Sequence, residues 1–97
     1  MWKIQTLSDD KDNVTFSLSG RLQADQVEEL RELLSAETRK VTFDLKEVNI
    51  VDREIITFFY RCSAIGVQLK NCPAYIEQWM AREYASRSRT KVSELNE

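Results

Sequence analysis

Apolar and polar residues alternate with a period of two at four places along this chain, the pattern of β-strands with one face covered and one face wet. In the first, Trp2 and Ile4 face inward and Lys3 and Gln5 outward. In the second, Val14, Phe16 and Leu18 oppose Thr15, Ser17 and Ser19; in the third, Val41, Phe43 and Leu45 oppose Thr42 and Asp44. Val67 and Leu69 form the inner face of a fourth, with Gln68 and Lys70 outside. A sheet covered on both sides carries unbroken apolar runs in its central strands instead. The alternation therefore predicts a sheet of four strands with one open face.

Between the first two strands the run SDDKDN, residues 8–13, is short and rich in turn formers, which predicts an antiparallel hairpin. Elsewhere the apolar period lengthens to that of a helix. Val27, Leu30, Leu33 and Leu34 form one stripe on a first helix that ends near Ser35, with Asp25 and Glu28 as a capping-box-like pair at its start. Asp52 is a good N-cap for a second helix, in which Ile55, Ile56, Phe59, Cys62 and Ser63 share a side. Thr57 and Arg61 point away from that side, and Phe58 and Tyr60 lie on its rims. Pro73 suits the first turn of a third helix whose inner face is Tyr75, Ile76, Trp79 and Met80. Right-handed crossovers stepping one way along the sheet place both crossover helices on the same face. The predicted class is α/β, a four-stranded mixed sheet with helices packed on one face. One domain spans 1–84, and 85–97, which lacks an apolar stripe, reads as a frayed helix end or disordered tail.

At 97 residues and 11.4 kDa the chain has room for one core. A net charge of -2 with both signs interspersed argues against a nucleic-acid partner or an anionic lipid surface. No apolar run has the length of a signal peptide's core or of a spanning helix, so a cytoplasmic protein without membrane insertion is expected. The chain has no His, which removes the commonest general base from any Ser or Cys nucleophile and the commonest metal ligand. It also lacks a nucleophile elbow, a P-loop and a Gly-rich dinucleotide turn. Its two glycines, Gly20 and Gly66, read as turn residues at element ends. Neither an enzyme nor a metal or cofactor is expected. Cys62 and Cys72 read as reduced, packed thiols; the alternative is a reactive Cys72, because a helix N-terminus lowers a thiol pKa.

The candidate surface is the start of the second helix. Asp52 and Glu54 suit that position through capping and the helix dipole alone. Arg53 and Thr57 share its outward side, and Phe58 or Tyr60 extends it, so the segment also reads as a docking surface formed by Asp52, Arg53, Glu54, Thr57 and Phe58. The open sheet face, with Thr15, Ser17, Thr42, Asp44, Gln68 and Lys70, reads as solvated and offers a second contact surface.

Three segments, SGRLQADQVEELRELL, VTFDLKEVNIVD and GVQLKNCP, stand in one order within residues 13–80. Through Ser19, Gly20 and Leu22, then Asp44, Leu45, Val48, Val51 and Asp52, and finally Gly66, Leu69 and Cys72, this arrangement resembles bacterial STAS domains, the family of anti-sigma factor antagonists and of the cytoplasmic ends of sulfate transporters. The resemblance implies a regulatory binding module. In the antagonist branch an unphosphorylated domain binds a kinase-type anti-sigma factor through the start of the second helix, and phosphorylation of a Ser or Thr there releases it. In this chain Arg53 stands at the phosphoacceptor position, Glu54 follows, and Ile55 replaces the usual small Gly. The implied function is protein binding without Ser/Thr phospho-switching at that site. Alternatives are an accessory subunit bound to the ATPase of an ABC-type membrane transporter, and a small-molecule or nucleotide sensor at the strand ends, which here lack phosphate-binding glycines.

Overall fold

A computed structural model describes the backbone of residues 2–95 and the side chains of residues 2–85. The elements run β1 (Trp2–Asp9), β2 (Asn13–Leu22), α1 (Ala24–Ala36), β3 (Lys40–Val51), α2 (Arg53–Ala64), β4 (Gln68–Lys70) and α3 (Ala74–Leu95). The strands lie in the order β1-β2-β3-β4, with β1 antiparallel to β2 and the other two pairings parallel. This is the predicted α/β class, a mixed four-stranded sheet with three helices packed on its apolar face. Asp10 shapes the hairpin: its Oδ1 accepts the N–H groups of Asp12 and Asn13 at 2.9 and 2.7 Å, an Asx-type turn. The segment expected as a tail, 85–97, continues α3 in its backbone to Leu95 and lies, beyond Ala85, outside the described side chains. Among the described residues no helix is long and apolar enough to cross a membrane.

The core sits on the inner faces of β2 and β3, which match residue for residue. Val14 pairs with Val41, Phe16 with Phe43, Gly20 with Val48 and Leu22 with Val51. To hold that match, β3 carries two register shifts, one opposite Ser17 to Ser19 and one opposite Gly20 to Arg21, each adding a residue to β3. Leu45, Val48 and Val51 therefore stay on one face although they are three apart, and β3 runs well past the alternating segment. Gly20 lies inside β2, at the second shift, rather than at an element end. Its φ of 88° is a conformation that a residue with a Cβ resists.

Several faces differ from expectation. Because β2 continues to Leu22, α1 starts at Ala24, and its capping pair is Gln23 and Gln26 rather than Asp25 and Glu28; Gln26 Oε1 accepts the Gln23 N–H at 2.8 Å. In α2, Ile55, Ile56, Phe59 and Cys62 are buried as predicted, but Ser63 is exposed and Phe58 is only 7% exposed. A helix flanked by α1 on one side and α3 on the other buries a wider arc than a single stripe, so Phe58 joins the core. Tyr75 is exposed instead of inward, its hydroxyl donating to the Asn49 carbonyl at 2.7 Å. The Pro73 carbonyl accepts from Ile76 and Glu77 at 3.1 and 3.0 Å, placing Pro73 just ahead of α3.

Arg39, in the α1–β3 connection, ties that loop to the hairpin. Its guanidinium donates to Glu37 at 2.6 and 3.0 Å, to Asp9 and to the Asp10 carbonyl at 2.9 Å. The hydrogen bonds from Arg39 hold the Glu37 carboxyl below its ordinary value of 4.5.

Phe43 and Phe59 are fully buried. Replacing either by Ala should cost about 3–5 kcal/mol, read as a lower urea midpoint; an unchanged midpoint would remove that ring from the core. A depressed carboxyl pKa means the unfolded chain binds the proton more readily, so this contribution is present above pH 4.5 and disappears as pH falls through the folded value. The difference in Tm between the native chain and Glu37→Gln should therefore be largest at neutral pH and shrink in acid.

Candidate functional site

The parallel strands β2 and β3 end together, at the paired residues Leu22 and Val51. The next residue in each chain segment opens a helix, so the N-termini of α1 and α2 are brought side by side. Asp52 stands between them in an extended conformation, φ -114° and ψ 179°. Its Oδ1 accepts the Ile55 N–H at 3.0 Å, capping α2, and its Oδ2 accepts the Ala24 N–H at 2.9 Å, capping α1. One carboxylate thus satisfies orphan donors of both helices and lies near the positive end of both dipoles. The sequence identifies the first of these roles and not the second, because the partner residue is 28 positions away.

Arg53 follows at the first position of α2 with its side chain 75% exposed. Its Nε lies 3.3 Å from Glu83 Oε1 on α3, and the Glu83 side chain is 14% exposed. Glu54 is exposed in the same turn, where its charge suits the dipole. Thr57, one turn on, is half-buried. Farther along, the Tyr60 ring meets Tyr84 of α3 edge-on, with centroids 5.9 Å apart. The structure therefore gathers Asp52, Arg53 and Glu54 at the tip of α2 and adds α3 residues to them, while Phe58 turns away from that tip into the core, with only its edge, 7% exposed, reaching the surface between α1 and α2.

Glu83 is the site residue that sequence reasoning missed. A signal for it exists: Ile76, Trp79, Met80 and Glu83 share one helical face, so Glu83 is an acid at the end of an apolar stripe and calls for a cationic partner.

On the opposite face, Asp44 departs from the expected solvated surface. It is buried, its Oδ1 accepting the Lys46 N–H at 3.0 Å and its Oδ2 the Asn71 side-chain amide at 3.2 Å. Asn71 has a φ of 54°, and this bond fixes it in the turn after β4. Asp44 is thus a structural anchor that ties the turn after β4 to the interior of β3, where it pairs with Lys70.

The thiols also differ from the reactive alternative. Burial pushes Cys62 up to about 12, with Arg31 acting weakly the other way. Cys72 is raised by burial and by the negative charge of Glu77.

No family model matches the chain, and no curated protein matches it at a significant level.

Replacing Asp52 by Ala removes an acceptor from two helix starts at once and should cost about 1–3 kcal/mol. Asp52→Asn keeps one carbonyl oxygen and turns an NH₂ toward the other N–H, so its cost should be smaller. Equal urea midpoints for the native chain and Asp52→Ala would show that neither cap contributes.

Proposed function

We propose that this chain is a non-enzymatic, cytoplasmic regulatory module that works by binding another protein through the start of α2, in the manner of a STAS-type anti-sigma factor antagonist. The observation that carries this reading is the double cap. Asp52 locks two helix N-termini to each other and to the sheet, and directly after it the chain presents an exposed Arg53 at a fixed position. A binding surface gains affinity when its contact groups are held in place before the partner arrives. The sequence resemblance to STAS domains points to the same helix start, with a kinase-type anti-sigma factor as the expected partner.

Regulation follows a different chemistry from that of the family. Where the resemblance implies a hydroxyl that gains negative charge, this chain has a permanent cation. Thr57, the nearest hydroxyl along α2, is half-buried one turn away. We therefore assign the site constitutive binding, with an acidic patch on the partner as the complement of Arg53.

Affinity purification of the tagged protein from its native cells, beside an Arg53→Glu form, tests the proposal by mass spectrometry. A soluble anti-sigma kinase recovered with the native chain and lost with Arg53→Glu is the expected result. Recovery of a membrane transporter's ATPase instead would overturn it in favour of an accessory-subunit role. Arg53→Ala should change stability by less than about 0.5 kcal/mol, since its ion pair with Glu83 is largely exposed on the Arg side. A larger loss would make Arg53 a structural residue and remove the ground for reading it as a contact.

A further inference from the structure

The last turn of α2 begins about 12 Å from Arg53, at 1.5 Å per residue along the helix, and towards that end α2 forms a groove with α1. Leu34, Phe58 and Cys62 line the groove, which has a volume of about 540 Å³. Ile65, 76% exposed, forms part of its rim. Arg31 from α1 and Arg61 from α2 also line it, with Ser35. Arg61 makes no ion pair among the described residues, and Arg31 meets only an exposed Glu28 at 3.4 Å. Arg31 is close enough to the groove lining for its charge to be felt at the Cys62 thiol.

This combination selects for one kind of occupant. Apart from the side chains of Arg31 and Arg61 the lining is aliphatic, aromatic and thiol surface with a single hydroxyl, so it offers donors but few of the acceptors that the hydroxyls of a sugar or the amino groups of a nucleobase need. Two guanidinium groups at an apolar groove provide fork-shaped donors for a carboxylate. The volume falls within the range of small-molecule sites. By contrast, a cleft of about 580 Å³ beside β4 is lined by both Lys40 and Glu77, whose opposite charges select no sign of ligand.

We propose that the α1–α2 groove binds a medium-chain acyl carboxylate, its hydrocarbon chain lying along Leu34, Phe58 and Ile65 and its head group held by Arg31 and Arg61. Each further methylene buried by the hydrophobic effect should tighten binding about fourfold, so affinity rises with chain length. The site is separate from the start of α2 and does not depend on the partner assigned to that surface.

The test is an NMR titration of the full chain with sodium octanoate, kept below micelle formation, alongside octylammonium as a probe of equal length and opposite charge. Octanoate should produce saturable shifts at Leu34, Phe58, Arg61 and Ile65, and Arg61→Glu should weaken binding at least tenfold while the rest of the spectrum is unchanged. If Arg61→Glu disturbs the fold, Arg61→Gln should weaken it in the same direction. Absence of saturable shifts, equal binding of octylammonium, or undiminished binding by a folded Arg61 variant would each overturn the proposal.

Discussion

One carboxylate joins the two layers of this fold. Asp52 ends the longest strand, begins the central helix and reaches across to the first N–H of the neighbouring helix. The two helices also share the apolar core, to which Leu34 and Phe58 belong. Hydrophobic burial is non-directional, and a hydrogen bond from each helix start to the same side chain adds a directional constraint. Everything exposed at that end of the molecule, Arg53 above all, takes its position from this joint.

A second set of polar contacts works at the margins of the sheet. Arg39 gathers Asp9, Glu37 and the Asp10 carbonyl at one end, and Asp44, within β3, accepts from the Lys46 N–H and from the Asn71 amide just past the end of β4. Tyr75 adds a tether from α3 to the Asn49 carbonyl. These contacts satisfy backbone and side-chain groups where the chain leaves regular structure, and they explain how loops of few residues hold a definite course. The polar groups near Arg39 and Asp44 are committed to one another, whereas Arg61, with no ion pair among the described residues, and Arg31, paired only with the exposed Glu28, line an apolar groove.

How much of this could be read from the sequence depended on whether a residue's neighbours were near in the chain. The alternation of Val14, Phe16 and Leu18 and of Val41, Phe43 and Leu45 carries the sheet, and each of those residues is buried. The helix stripes carry the layer above it. Period-two reasoning stops at Leu45 because the shifts in β3 space Val48 and Val51 by three, so the second half of that strand lies beyond the alternation that identified it. Phe58 was placed on a rim because a helical wheel sees one buried side, and α2 has neighbours on two flanks. Asp44 was read as wet from its phase in the strand, though Asn71, 27 residues on, accounts for its burial. At the candidate site, the cap by Asp52 on its own helix was legible; its bond to Ala24 and the approach of Glu83 to Arg53 are products of the tertiary fold.

The two extra residues of β3 give this strand an unusual sensitivity to changes of length. Between Leu45 and Asp52 the chain is not a spacer, because each bulge residue sets which way every later side chain points. Loss of one residue there would turn Val48 or Val51 outward and draw Asp52 back from Ala24, so both the core and the helix joint would fail together. Loops elsewhere tolerate insertion and deletion readily; this segment, though it ends at the molecule's surface, has the length constraint of a buried one.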